Sequence, residues 1–178
     1  LVGRVQDEAR VPVFAHLEGI CHLYVSAQAD IKKATDICIN AKMRRVGICG
    51  AAETLLIDQS VSSTDMSMIV KQLLNSGCEV RGTQIIAACD NRIVPATDSD
   101  WGCEFLAPII AVKTVSGLDE AIAHIRLNGS GHTESIITED MGEAETFLNE
   151  IDSAIVMVNA STQFADGGEY GMGAEIGI

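Results

Sequence analysis

Short runs of β-branched and aliphatic residues alternate in this chain with segments whose apolar residues recur at helical spacing, and that alternation narrows the fold more than any other feature. Residues 11–14, 20–25, 54–57, 84–88, 108–115, 135–138 and 154–159 read as strands. Between them, 29–43 carries Ile31, Ala34, Thr35, Cys38 and Ala41 on one helical face behind Asp30. Residues 65–75 carry Met66, Ile69, Val70, Leu73 and Leu74 on one face and are followed by Gly77 as a C-cap. Helices are expected again over 118–128, ahead of Gly129, and over 142–150. Several strand runs are continuously apolar instead of alternating, the pattern of strands buried on both faces. The reading is therefore an α/β fold, an open, mostly parallel sheet between two helical layers.

Composition agrees with one folded domain. At 178 residues with 47% hydrophobic and 21% charged, the chain is long enough to build a core without disulfides or metals. Aromatics make up only 4%, so that core is aliphatic. No repeat or Pro/Gly-rich linker divides the sequence, and 91–101 is the one long polar connection. In open α/β sheets ligands bind beyond the carboxyl ends of strands, which points to the segments after Asn159, after Val115 and around Cys49.

Several function classes are excluded on charge and hydropathy. The formal net charge is -13, and no basic cluster exceeds Arg44-Arg45 or Lys32-Lys33, so no nucleic-acid partner is expected. The longest apolar runs, 109–112 and 154–158, fall far short of the roughly 20 residues a membrane span needs. Six cysteines at 21, 38, 49, 78, 89 and 103 form no CxxC pair, which argues against a zinc ribbon or a disulfide framework and for reduced thiols in the cytoplasm. The acceptor patterns at Asn128 and Asn159 are too short to signify glycosylation. The sequence starts at Leu1 and stops at Ile178 within a glycine-rich stretch, and it reads as a piece of a longer protein.

Candidate chemistry centres on Cys49. Five cysteines fall on expected apolar helix faces or strands, where a thiol acts as a small hydrophobe. Cys49 instead lies in Gly47-Ile48-Cys49-Gly50-Ala51, between a helix end and a strand, where small neighbours would admit a substrate carbonyl. A thiol of ordinary pKa near 8.5 needs a dipole or cation to act as a nucleophile. Arg44 and Arg45 are the cations close in sequence, although such residues are more often solvated. The structural alternative for Cys49 is a loop cysteine. Among the histidines at 16, 22, 124 and 132 no metal-binding spacing appears. His124 reads as a helix-surface residue, and His132 either faces a site or is satisfied by backbone. Residues 171–177 imitate a dinucleotide fingerprint, but the third glycine comes one place late and no helix follows.

Taken together, residues 49–56 (CGAAETLL), 132–140 (HTESIITED) and 158–178 (VNASTQFADGGEYGMGAEIGI), with 11–13 and 17–22, resemble the γ-glutamyl phosphate reductase family, also called glutamate-5-semialdehyde dehydrogenases. The match runs over essentially the whole chain. It implies the aldehyde dehydrogenase superfamily fold, with residues 1–178 as the catalytic, nucleophile-bearing domain and a cofactor-binding domain earlier in the chain. The implied reaction is NADPH-dependent reduction of γ-glutamyl phosphate to glutamate semialdehyde and phosphate, the second step of proline biosynthesis, with the isolated domain inactive. Cys49 falls at the family's catalytic thiol. Glu104 resembles the glutamate that holds the nicotinamide ribose, and Leu106 a residue packing on the nicotinamide. Asn159, Ser161, Thr162 and His132 are the expected substrate-binding residues. A homo-oligomer when full length, and an association with glutamate kinase, fit the same resemblance.

The chain departs from the pattern twice. His16 stands where aldehyde-oxidising relatives carry a general-base glutamate, which suits a reductase that resolves its thioester without hydrolysis. Gly50 stands where an asparagine is expected after the nucleophile. The alternatives are an aldehyde-oxidising dehydrogenase of the same superfamily, or a non-catalytic binding or assembly domain.

Overall fold

The computed structural model describes residues 2–13 and 15–173. Among these residues seven strands form one parallel sheet: β1 (Cys21–Val25), β2 (Ala52–Asp58), β3 (Glu79–Gly82), β4 (Val94–Pro95), β5 (Ile109–Val115), β6 (Thr133–Ile137) and β7 (Ile155–Val158). Their order is β4-β3-β5-β2-β1-β6-β7, so β5, β2, β1 and β6 are consecutive neighbours at its centre. Parallel neighbours require crossovers, which the helices provide. The connecting helices are α2 (Ile31–Met43), α3 (Ser63–Asn75), α4 (Gln84–Ala87), α5 (Leu118–Asn128) and α6 (Met141–Glu150), and α1 (Val2–Glu8) precedes the first strand.

The side-chain alternation of the strands separates two cores. Leu23, Val25, Leu55, Ile57, Ile110, Val112 and Ile137 pack with Ala34, Cys38 and Ala41 of α2 and Met66, Ile69, Val70 and Leu73 of α3. On the opposite face Tyr24, Leu56 and Ile136 meet Ala121, Ile122 and Ile125 of α5 and Phe147 of α6. This is the three-layer arrangement expected, because the central strands β1, β2 and β6 are buried throughout. Helix ends follow the expected chemistry. Asp30 caps α2 by accepting from the Lys33 amide at 2.8 Å. Gly77, at φ 89°, lets the Cys78 amide return to the Leu73 carbonyl at 3.1 Å and closes α3.

Three segments differ from the sequence reading. Residues 84–88 form no strand: Gln84–Ala87 is the one-turn α4, and the strand is Glu79–Gly82 just upstream. A short apolar run cannot distinguish the two, and Val80 is a buried residue of a strand whose Glu79 and Arg81 are charged. Residues 11–13 are not a strand, Pro12 having no amide to give a ladder, and Phe14 lies outside the described residues. The polar connection 91–101 contains β4, a two-residue edge strand. The end of the fingerprint-like stretch and of the matched string, from 174 on, also lies outside the described residues.

Candidate active site

The loops preceding β1, β2, β5 and β6 carry Gly19, Cys49, Glu104 and His132, and the sheet order sets these four loops side by side. Cys49, Glu104 and His132, three of the site residues named from the sequence, thus gather at the amino ends of the central strands. This corrects the expectation of a site beyond the carboxyl ends, which assumes a crevice where strand order reverses.

Cys49 stands in a tight turn closed by the Ala51 amide bonding the Ile48 carbonyl at 3.0 Å, and it is the exposed cysteine of the six. Cys21, Cys38 and Cys78 are buried, and burial pushes the Cys38 and Cys78 thiols up to about 12. Cys89 and Cys103 lie in loops, half-buried, and not on the helices or strands expected of them, although Cys89 still packs against the first core.

Neighbouring backbone locks the nucleophile turn. Gly19 approaches so closely that a Cβ there would lie 2.2 Å from the Cys49 carbonyl oxygen and 2.5 Å from its Cα. The Gly19 amide donates to Glu104 Oε1 at 2.9 Å, and the Cys21 thiol donates to the Cys49 carbonyl at 3.1 Å. A Cβ on Gly50 would meet the Thr162 carbonyl oxygen at 3.2 Å, a physical reason for glycine where asparagine is expected. His132 Nδ1 lies 2.8 Å from Thr133 Oγ1 and 3.6 Å from the Cys21 sulfur, with the His16 ring edge-on at 4.9 Å between centroids. Burial, and then His16, lowers the His132 pKa. Arg44 pairs with Glu169 and stacks over Phe164, with Cζ 5.6 Å from the ring centroid.

Leu106 and Asn159 are the non-glycine residues with positive φ among those described, at 51° and 54°. Such strain persists where surrounding contacts over-determine it. Leu106 is half-exposed, and its carbonyl lies 3.9 Å from where a Cβ on Gly47 would be. Asn159 reverses the chain after β7 at the carboxyl end of the sheet, accepting from the Thr138 amide at 3.1 Å and donating to its carbonyl at 2.8 Å. The chain then runs back across β6, whose Ser135 hydroxyl donates to the Ala160 carbonyl at 2.7 Å. Ser161 Oγ caps the turn Thr162–Phe164, and Thr162 Oγ1 is buried without a hydrogen-bond partner among the described residues. The geometry therefore places Thr162 beside the Cys49 turn, while the Asn159 amide lies roughly a strand length, about 16 Å, away.

Two buried polar groupings flank this edge, neither singled out from the sequence. Lys42 Nζ donates to Glu53 Oε2 at 2.6 Å with both side chains inaccessible, and burial pushes the Glu53 carboxyl up to about 7 against the opposing pull of Lys42. On the other face, Glu134 Oε2 accepts from the His22 amide at 2.7 Å and lies 3.0 Å from His22 Nδ1. His22 and Trp101 each meet the His124 ring edge-on. His124 is thus buried and not on the helix surface, because α5 turns it inward onto His22, and burial lowers its pKa to about 4. Charged or titratable residues at apolar-face positions, such as Lys42 four residues after Cys38, were the available signal.

Comparison with known proteins places this arrangement. A model of the aldehyde dehydrogenase family matches residues 93–173. In its parallel sheet and the exposed thiol on the turn before β2, the chain resembles that family. It is similar to γ-glutamyl phosphate reductases: 61% identical over 178 residues to that of Methylorubrum extorquens and 59% to that of Rhodopseudomonas palustris (strain TIE-1), covering all of this chain and 41% of each relative. The crystal structure of γ-glutamyl phosphate reductase from Thermotoga maritima superimposes with a TM-score of 0.95 at 48% identity, over 100% of this chain and 43% of that one. An acetylating aldehyde dehydrogenase from Geobacillus thermoglucosidasius, 22% identical over 94% of this chain and 46% of that one, shares the fold with a TM-score of 0.70. The chain thus spans about two fifths of the length of the curated relatives it matches.

Proposed function

We propose that the full-length protein reduces γ-glutamyl phosphate to glutamate semialdehyde and phosphate, with NADPH as reductant and Cys49 as nucleophile. The observation that carries this reading is the exposed Cys49 thiol, on a turn clamped by Gly19 beside Glu104, in a chain 61% identical along its length to a γ-glutamyl phosphate reductase. The Cys49 thiolate attacks the acyl carbon, the bond to the phosphate oxygen breaks, and a thioester on Cys49 remains. Clamping by Gly19, Gly50 and the Cys21 thiol holds the sulfur in one approach geometry, where orientation contributes most to rate. Backbone amides of the same turn stabilise the oxyanion, at roughly 3 to 4 kcal/mol per donor in comparable sites.

The residues present fit a nicotinamide cofactor. Glu104 spends one carboxylate oxygen on the Gly19 amide and offers the other to a ribose hydroxyl, and the half-exposed Leu106 offers an apolar face. The chemistry such a cofactor supplies when bound is hydride donation to the thioester carbonyl. Ser161, Thr162 and His132 are the proposed substrate contacts, Thr162 and His132 directly at the edge, and Asn159 serves the site by turning the chain toward it. The cytoplasm, a homo-oligomer when full length and an association with glutamate kinase belong to the same proposal.

The test is turnover of full-length protein with glutamate semialdehyde, phosphate and NADP, before and after replacing Cys49 by alanine. Turnover should require phosphate and fall by at least about 10³ in the variant. Phosphate-independent oxidation, or near-normal turnover without Cys49, overturns the reading.

A further inference from the structure

The Glu104–Leu106 loop must be held against the nucleophile turn, yet Leu106 adopts a left-handed conformation at φ 51° that an isolated chain would leave. Beneath it lies Glu53, four residues after Cys49 and on the core side of β2. The Phe105 and Leu106 amides lie close enough to Glu53 to favour its charged form, while Oε1 closes no full hydrogen bond among the described residues. The other oxygen is held by Lys42, whose ammonium is also 6.0 Å from the centre of the Phe105 ring. A buried ion pair is a poor source of net stability, so its presence beneath two functional loops calls for another role.

We infer that the buried Lys42–Glu53 pair is a positioning device: Glu53 holds the Lys42 ammonium against the Phe105 ring of the cofactor-side loop, and its place on β2 ties that loop to the turn that carries Cys49. The inference rests on the function proposed above, since it assigns Glu104 and Leu106 to the cofactor. The Lys42–Glu53 hydrogen bond is charge-assisted, and such bonds are about twice as strong as neutral ones, so a neutral side chain of the same shape would loosen the ammonium against Phe105, and the loop with it, without emptying the site. The loop would then lose its register with Cys49 while the Cys49 turn, held independently by Gly19, Gly50 and Cys21, stayed in place.

The experiment compares full-length wild type with Glu53→Gln and with the double variant Lys42→Met/Glu53→Gln, which removes the unpaired ammonium should the single variant not fold. Three readouts are taken: amide hydrogen exchange over residues 103–107, the dissociation constant for NADPH from its fluorescence, and the iodoacetamide alkylation rate of Cys49 without cofactor. The expected result is faster exchange confined to 103–107, NADPH binding weakened by about ten-fold, and Cys49 alkylation within about two-fold of wild type. Unchanged exchange in a folded variant overturns the inference. So does a loss spread equally over the Cys49 turn, since that is general destabilisation. A wild type that binds no NADPH counts against the proposed function, and the exchange data still decide whether Glu53 holds the loop.

Discussion

Replacing Gly19 by alanine adds a single methyl group at the point where the chain crosses the nucleophile turn. Gly19 has no left-handed φ, so the backbone itself accepts alanine and contact alone sets the effect. The new Cβ would stand 2.2 Å from the Cys49 carbonyl oxygen, 2.5 Å from Cys49 Cα and 2.6 Å from Cys49 Cβ. Carbon atoms in contact prefer about 3.5 Å, so the two loops must separate by about 1 Å. All three contacts are on Cys49 itself, so the separation displaces the nucleophile. A displacement of that size costs on the order of 10² in rate, or about 2.7 kcal/mol of barrier. The loss in folding stability should be in the range of overpacking, about 1–3 kcal/mol, or a few degrees in melting temperature for a chain of this length. The measurement is turnover of the full-length variant alongside its melting curve. A folded Gly19→Ala protein with turnover within about two-fold of wild type would refute the argument that close packing at Gly19 fixes the thiol.

Three further outcomes are expected. Asn159→Ala removes both bonds to Thr138 and leaves alanine at φ 54°, so it should cost about 2–3 kcal/mol in urea unfolding. Its Michaelis constant for substrate should move far less than that of a Thr162 variant, because the Asn159 amide lies at the other end of the sheet. The pH dependence of stability should show two opposed contributions. His124, lowered from 6.5 to about 4, stays neutral in the fold while the unfolded chain takes up a proton, so its contribution is lost as pH falls across that window. Glu53, raised from 4.5 to about 7, holds its proton better when folded, so its contribution declines as pH rises across its window. Relative to wild type, urea midpoints should therefore fall with rising pH in His124→Phe and rise with pH in Glu53→Gln, and parallel profiles would contradict the assignment.

Because strand and helix differ in hydrophobic period, the sequence alone determined the layered α/β architecture and most element positions. It also singled out Cys49, whose small neighbours distinguish it from the apolar settings of Cys21 and Cys38. Resemblance added Glu104 and His132, and folding brings both loops beside Cys49. Local pattern could not decide between strand and helix at 84–88, where the apolar run is too short to show a period. Nor could it reveal that His124 turns inward, since one polar residue on a helix face looks the same whether water or His22 awaits it. Which end of the sheet carries the site was decided only by the strand order, which makes neighbours of loops more than a hundred residues apart, as Gly19 and His132 are. The Lys42–Glu53 pair is of the same kind. Each residue alone is an ordinary charge, and only the packing of α2 on β2 removes both from water and obliges them to meet.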